Sequence, residues 1–80
     1  MVTATFRFDD ELAFFLPPAR RRVDFVVPCA RHATAKHMIE ALGVPHTEVG
    51  SISINGKAAG FGQLLHDGDL VCVGAHPLPG

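Results

Sequence analysis

The sequence predicts an α+β domain in which one main helix packs on one face of a mixed sheet of four to five strands. Three observations lead to this prediction. Residues 51–54 alternate polar and apolar side chains, and the following Asn55-Gly56 can adopt the positive φ angles of a two-residue hairpin turn. Residues 2–8 alternate in the same way. Residues 35–42 carry apolar side chains at helical spacing.

The first predicted strand covers residues 2–8, with its aromatic side chains on one face and polar side chains on the other. Asp9 or Asp10 is expected to cap a short helix over residues 11–16, of about two turns. Pro17 follows that segment and prevents its continuation, because proline fixes φ and lacks a backbone N–H.

A second strand is predicted over residues 23–27 and is expected to stop at Pro28. The main helix is predicted over residues 35–42, with Thr34 as its N-cap. Gly43 is the expected left-handed residue after this helix, since glycine has no Cβ to clash in that conformation.

The remaining segments predict the rest of the sheet. Residues 57–61 are rich in Gly and Ala and are expected to form only a short edge strand, whereas the turn at 67–69 leads into a strand over residues 70–73. This order of elements is that of a β-grasp fold. We expect the first two strands to be antiparallel and the last strand to lie parallel to the first in the sheet centre. Residues 1–80 form one domain in this interpretation.

Composition limits the function. The net charge is −1 and the isoelectric point is near 6.5, which argues against tight nonspecific nucleic-acid binding by this domain alone. No apolar run approaches the roughly 20 residues of a membrane-spanning helix, and the start of the chain lacks a signal-peptide pattern. Two widely spaced cysteines do not indicate a disulfide framework. A cytoplasmic location without membrane association is expected.

Several segments together resemble a known family. The more specific ones are Phe-Leu-Pro-Pro at residues 15–18 and Leu-Gly-Val-Pro-His-Thr-Glu-Val at residues 42–49. The chain is similar to the ubiquitin-like domain that precedes the Mut-seven C-terminal ribonuclease domain in prokaryotic proteins. Its Asn-Gly and Asp-Gly-Asp signals are shared with the wider superfamily, which includes the sulfur carriers of molybdopterin and thiamine synthesis.

The resemblance implies a ubiquitin-like β-grasp domain that is not an enzyme and needs no cofactor. It implies a protein partner, namely a PIN-like ribonuclease domain that is fused or separate, and a role as an interaction or accessory domain in RNA processing. The alternative is a sulfur carrier, which uses a C-terminal glycine thiocarboxylate. Gly80 would supply that group, although Pro79 is bulky where a carrier tail is thin and mobile.

Two surfaces are candidates for binding. Strand alternation turns one set of side chains onto the exposed sheet face, and the sequence leaves open whether they form one patch. The predicted partner-binding residues are Arg7, Val26, Leu70 and Cys72. An arginine run precedes the second strand and is either a solvated loop or a phosphate-contacting RNA site, with no aromatic residue interleaved to stack bases; it comprises Arg20, Arg21 and Arg22.

Two other side-chain groups resemble a zinc site and a catalytic carboxylate pair only superficially. Cys29, His32 and His37 offer three potential zinc ligands without a second paired cluster, and we assign them structural roles and predict no metal site. Asp67 and Asp69 flank a glycine and are more simply explained as turn residues that bond local backbone amides than as a catalytic carboxylate pair.

Overall fold

The computed structural model describes residues 1–77 and contains a five-stranded mixed sheet with one α-helix, which confirms the predicted α+β fold class. The strands are β1 (Val2–Phe8), β2 (Phe25–Cys29), β3 (Val49–Ile54), β4 (Lys57–Ala58) and β5 (Asp69–Ala75), and the helix is α1 (Ala35–Ala41). Three short 3₁₀ helices occupy connections, at Asp10–Phe15, Pro18–Arg20 and His46–Glu48.

The strand order is β2-β1-β5-β3-β4, so the first and last strands lie side by side in the sheet centre. β1 runs antiparallel to β2 and parallel to β5, as expected. Alternate residues of β1 face the core, where Phe6 is completely buried, and Ala35 and Ile39 of α1 are buried on that same side. The helix therefore covers one face of the sheet, because its apolar stripe and the inward residues of β1 share one core.

The capped ends of α1 match the sequence pattern. The Thr34 hydroxyl accepts a hydrogen bond from the His37 backbone N–H at 3.1 Å, which confirms the N-cap. Gly43 has a φ of +105° and Val44 donates its N–H to the Ile39 carbonyl, so the left-handed ending is also confirmed. The helix ends at Ala41, one residue earlier than predicted.

The predicted helix over residues 11–16 is wrong in type, because the segment Asp10–Phe15 is a 3₁₀ helix. Asp9 does not cap it with its side chain. Instead the Asp9 carboxylate accepts a hydrogen bond from the Ala75 N–H at 3.2 Å, and the Asp9 N–H donates to the Val73 carbonyl at 3.0 Å. Asp9 therefore ties the end of β1 to the end of β5.

The predicted stop at Pro28 is also wrong, since β2 continues through it to Cys29. The Thr3 carbonyl bonds the Gly68 N–H, and the Asp9 N–H bonds the Val73 carbonyl. Because backbone groups alternate in direction along a strand, the odd-numbered residues of β1 bond β5 and the even-numbered ones bond β2. The pair of Thr3 and Pro28 thus needs no ladder bond, and the missing N–H of Pro28 lies on the free edge.

The Asn55-Gly56 hairpin is confirmed, with φ angles of 53° and 83°. β3 begins at Val49, earlier than the predicted residue 51, and its pairing with β5 shifts register between Val49 and Ser51. This irregularity includes Gly50. A Cβ there would lie 2.6 Å from the Ala75 carbonyl oxygen and 2.6 Å from the His76 Cα. Only a residue without a side chain allows this approach.

Asp69 is buried at the turn before β5 and is fully engaged in local hydrogen bonds. Its carboxylate accepts from the His66 N–H at 2.8 Å and from the Asn55 side-chain amide at 2.9 Å. The Asn55 amide oxygen accepts in turn from the Leu70 N–H at 2.9 Å. The expectation of a turn residue is confirmed for Asp69, and this network also joins the hairpin to the start of β5.

The prediction that Asp67 bonds local backbone amides is wrong, because its partner is distant in sequence. Its carboxylate accepts from the Thr3 N–H at 2.8 Å and from the Thr3 hydroxyl at 3.2 Å. These hydrogen bonds stabilise the ionised carboxylate and lower the pKa of Asp67. Asp67 therefore joins the start of β1 to the turn that precedes β5.

We predict that Gly50→Ala destabilises the protein by about 1–3 kcal/mol, because backbone atoms that cannot rotate away must shift to admit the new methyl group. Gly60→Ala is the matched control, since a Cβ at Gly60 meets no atom within 4 Å. Urea unfolding of both variants measures the difference. Equal free energies of unfolding for the two variants would contradict the close approach at Gly50.

We also predict that the contribution of Asp67 to the stability of the fold depends on pH. Since the pKa of Asp67 is lowered in the folded state, its ionised form stabilises the fold above the unfolded pKa of about 4, and this contribution is lost as pH falls through the folded pKa. Asp67→Asn keeps an acceptor for Thr3 but cannot ionise. The stability gap between wild type and Asp67→Asn should therefore shrink from pH 7 to pH 3 in urea unfolding. A gap that is constant with pH would sink this explanation.

Candidate functional site

The sheet face opposite α1 carries the side chains that the sequence predicted for partner binding, and we call it the open sheet face. Val26, Thr5 and Leu70 lie in one row across β2, β1 and β5. Arg7 and Cys72 lie in the next row along. Val26 is 64% exposed, while Leu70 and Cys72 are half-buried. The structure therefore brings all four predicted residues onto one surface, with Thr5 between Val26 and Leu70.

Arg7 does not present a free positive charge on this face. Its Nε donates to Asp24 Oδ1 at 2.8 Å and its Nη2 donates to Asp24 Oδ2 at 2.7 Å. This two-pronged pairing raises the pKa of Arg7 and lowers the pKa of Asp24. The ion pair lies beside the row of Val26, Thr5 and Leu70 and adds no net charge at that edge.

Asp24 is a site residue that the sequence analysis missed. Its position two residues before Val26 was a usable signal, because residues two apart along an extended chain point to the same side. The sequence did not indicate which arginine pairs with Asp24. Four other arginines are closer to Asp24 in sequence than Arg7 is, and only the antiparallel register of β1 and β2 brings Arg7 next to it.

The two cysteines lie on opposite faces of the sheet. Cys29 is buried in the core, where burial raises the pKa of its thiol, and Cys72 is half-buried on the open sheet face. Both are free thiols. Their placement on opposite faces disfavours a disulfide between them.

The other two candidate zinc ligands, His32 and His37, do not lie with Cys29 in the core. The side chain of Cys29 lies in the core, whereas His32 and His37 are exposed on the segment that leads into α1 and on its first turn. Across residues 1–77 the structure contains no group of three His, Cys, Asp or Glu side chains placed to hold a metal ion. The same part of the chain forms no helix long and apolar enough to cross a membrane.

The arginine run divides into three different environments. The Arg20 guanidinium lies 5.0 Å from the centroid of the Phe25 ring, in a cation–π contact. Arg21 donates its Nε to the carbonyls of Ala13 at 3.1 Å and Leu16 at 2.8 Å. These two arginines help to hold the loop between β1 and β2.

Arg22 is the most loosely held arginine of the run. Its Nε lies 3.9 Å from Asp10 Oδ1, beyond hydrogen-bond distance, and its backbone has a φ of +60°. Arg22 and Arg7 line the same open cleft of about 490 Å³. Four carboxylates also line this cleft, which makes it unsuitable for a phosphate chain; they belong to Asp9, Asp10, Glu11 and Asp24.

Phe14 is a second residue that the sequence analysis missed. It is 70% exposed, and its ring centroid lies 4.1 Å from that of Phe15. Phe14 lines a cleft of about 400 Å³ with Arg21 and Arg22. The arginine run contains no aromatic residue, but folding brings Phe14 to it. The adjacent phenylalanines were the available signal, since two successive residues of a helical turn cannot both face the core.

Gly80, the predicted terminus for a sulfur carrier, lies outside the described residues. The chain is held as far as His76, whose Nε2 donates to the Thr47 carbonyl at 3.0 Å. Because β5 runs parallel to β1, this end of β5 lies beside Asp9 and the 3₁₀ segment that carries Phe14. The exit of the chain and the Phe14 cleft therefore share one end of the sheet.

Solved structures with the same fold come from small archaeal proteins. Small archaeal modifier protein 1 of Haloferax volcanii superimposes with a TM-score of 0.72, at 18% identity over 96% of this chain and 100% of that one. A second crystal structure of that modifier protein gives a TM-score of 0.68, at 18% identity over 98% and 99%. These similarities confirm the ubiquitin-like β-grasp fold.

A third similar structure is the putative molybdopterin converting factor subunit 1 of Pyrococcus furiosus, with a TM-score of 0.70 and 18% identity over 96% of this chain and 100% of that one. It has the same fold as this chain. No curated protein matches the sequence. The family model for the Mut7-C ubiquitin domain matches residues 1–77, nearly the whole chain, and the protein therefore belongs to the Mut7-C ubiquitin family.

Proposed function

We propose that this domain is a noncatalytic interaction module that docks onto a PIN-like ribonuclease domain, fused to it or separate, in RNA processing. The family match supports the ribonuclease as partner. The observation that carries the docking role is the row of Val26, Thr5 and Leu70 on the open sheet face. A partner that covers this row removes apolar surface from water, at about 25 cal/mol for each Å² buried.

The charges around this row also favour docking over catalysis. Arg7 and Asp24 satisfy each other at the rim, so a partner does not have to desolvate an unpaired ion. The carboxylates of Asp67 and Asp69 are committed to hydrogen bonds that hold the turn before β5. This use of ionisable groups supports a binding role. The cytoplasmic location expected from the sequence remains part of the proposal.

A sulfur carrier is the second candidate, because the fold matches the molybdopterin converting factor subunit over its whole length. Such a carrier presents a flexible tail whose terminal glycine carboxylate is converted into a thiocarboxylate. Here β5 is anchored at its end by Asp9 and by the contact of His76 with Thr47. The sequence places Pro77 and Pro79 shortly before Gly80, and proline is a residue that fixes φ. We therefore rank this candidate second.

We predict that Val26→Asp weakens binding of the purified family ribonuclease domain at least tenfold, because it introduces an unpaired charge into the centre of the contact. Isothermal titration calorimetry measures the Kd. Leu64→Asp is the matched control, because Leu64 is an aliphatic residue of 42% exposure that pairs with Thr34 beside α1. Unchanged affinity in Val26→Asp, or an equal loss in both variants, would reject docking through the open sheet face.

The carrier alternative has its own measurement, made by intact mass spectrometry after co-expression with an adenylating enzyme of the ubiquitin-activating type. We expect the mass to remain that of the unmodified chain. Replacement of one carboxylate oxygen by sulfur would increase the mass, and deletion of Gly80 would abolish that increase. This pair of results would favour the sulfur carrier over the interaction module.

A further inference from the structure

The cleft that Phe14 forms with the arginine run combines a stacking surface with two cationic groups. The cleft measures about 400 Å³ and is open to solvent, and it is lined by Asp10, Ala13, Phe14, Arg21 and Arg22. It lies on the loop between β1 and β2 and does not include the residues of the open sheet face. Its chemistry therefore needs an explanation separate from docking through the sheet.

The Phe14 ring is both exposed and supported. Phe15 is half-buried against the core, and its ring lies 4.1 Å from the Phe14 ring at an angle of 33°. This contact occupies one face of Phe14 and leaves the other accessible, in agreement with its 70% exposure. An aromatic ring held in this way is a suitable platform for a flat ligand such as a nucleobase.

Arg21 is fixed beside this ring by its own backbone contacts. Its Nε donates to the Ala13 and Leu16 carbonyls, which orient the guanidinium at the cleft. Its terminal Nη groups make no hydrogen bond to any atom of residues 1–77. They remain available to donate to phosphate oxygens, and a guanidinium that is already oriented loses less conformational entropy on binding.

Arg22 adds a second cation on the same cleft. Its side chain is 76% exposed, and at 3.9 Å from Asp10 it makes only a weak ion pair. The Asp10 carboxylate opposes an anionic ligand, and so does Glu11 beside it. With two arginines against these acids, the cleft suits a single phosphate rather than a long nucleic-acid backbone, in agreement with the net charge of −1.

We propose that this cleft binds an unpaired RNA nucleotide, with the base stacked on the free face of Phe14 and the adjoining phosphate held by Arg21 and Arg22. The choice of RNA rests on the proposed role in RNA processing. The geometry selects a single strand over a duplex, because a base reaches the Phe14 ring only when it is free of its own stack. The two arginines distinguish this cleft from an apolar docking pocket for protein.

The test is a fluorescence-anisotropy titration of the purified protein with a labelled single-stranded oligouridine. Phe14→Ala should weaken binding about tenfold, whereas Phe14→Trp should bind at least as tightly as wild type because its ring is larger. An oligomer of equal charge with abasic central positions should bind wild type about as weakly as oligouridine binds Phe14→Ala. Circular dichroism checks that each variant is folded. Because Phe14 is exposed, its replacement should leave the core intact.

Substitutions of the charged residues that line the cleft give independent tests of RNA binding. Arg22→Ala should reduce the slope of log affinity against log salt by about one, and Asp10→Asn should tighten binding. Val26→Ala is the control on the open sheet face and should leave RNA affinity unchanged. Binding that is undetectable for wild type, or equal for wild type and Phe14→Ala, would overturn the proposal.

The outcomes also separate this site from the docking surface. Val26→Asp is expected to affect binding of the ribonuclease domain only, and Phe14→Ala to affect RNA binding only, so either proposal can fail while the other holds. If Phe14→Ala weakens ribonuclease binding and leaves RNA affinity unchanged, the cleft is a protein contact and the RNA proposal is wrong.

Discussion

The parallel pairing of the first and last strands is the constraint on which the other elements depend. Parallel neighbours cannot be joined by a hairpin, so β1 and β5 are connected through the rest of the domain. The pairing is fixed at both ends by carboxylates, with Asp67 bonded to Thr3 where it begins and Asp9 bonded to Ala75 where it ends. β2 and β3 then add to the two outer edges of this central pair.

The same pairing creates the two candidate surfaces. It places Thr5 opposite Leu70 and Arg7 opposite Cys72, which builds the centre of the open sheet face. It also brings the end of β5 beside Asp9, where the 3₁₀ segment that carries Phe14 begins. The end of β5 therefore lies close to the Phe14 cleft, while the open sheet face is a separate surface across the broad side of the domain.

Several ionisable groups make specific contacts that contribute to structure. Asp69 holds a hairpin and a turn together, Glu40 pairs with His46, and Arg7 pairs with Asp24. The His46 contact lowers the pKa of Glu40, as Arg7 does for Asp24. Arg21 and Arg22 differ from these groups because they line an open cleft beside an exposed aromatic ring.

The sequence by itself determined the elements whose signals are local: the Thr34 cap, the left-handed Gly43, the Asn55-Gly56 turn and the alternation that places Val26 and Leu70 outward. These follow from backbone preferences and side-chain periodicity within a few residues. Only the tertiary structure decided that Pro28 lies within an edge strand, that Asp24 pairs with Arg7, and that Phe14 meets the arginine run. Each of these depends on which strand or loop becomes a neighbour, and neighbours are selected by the packing of the whole chain around one core.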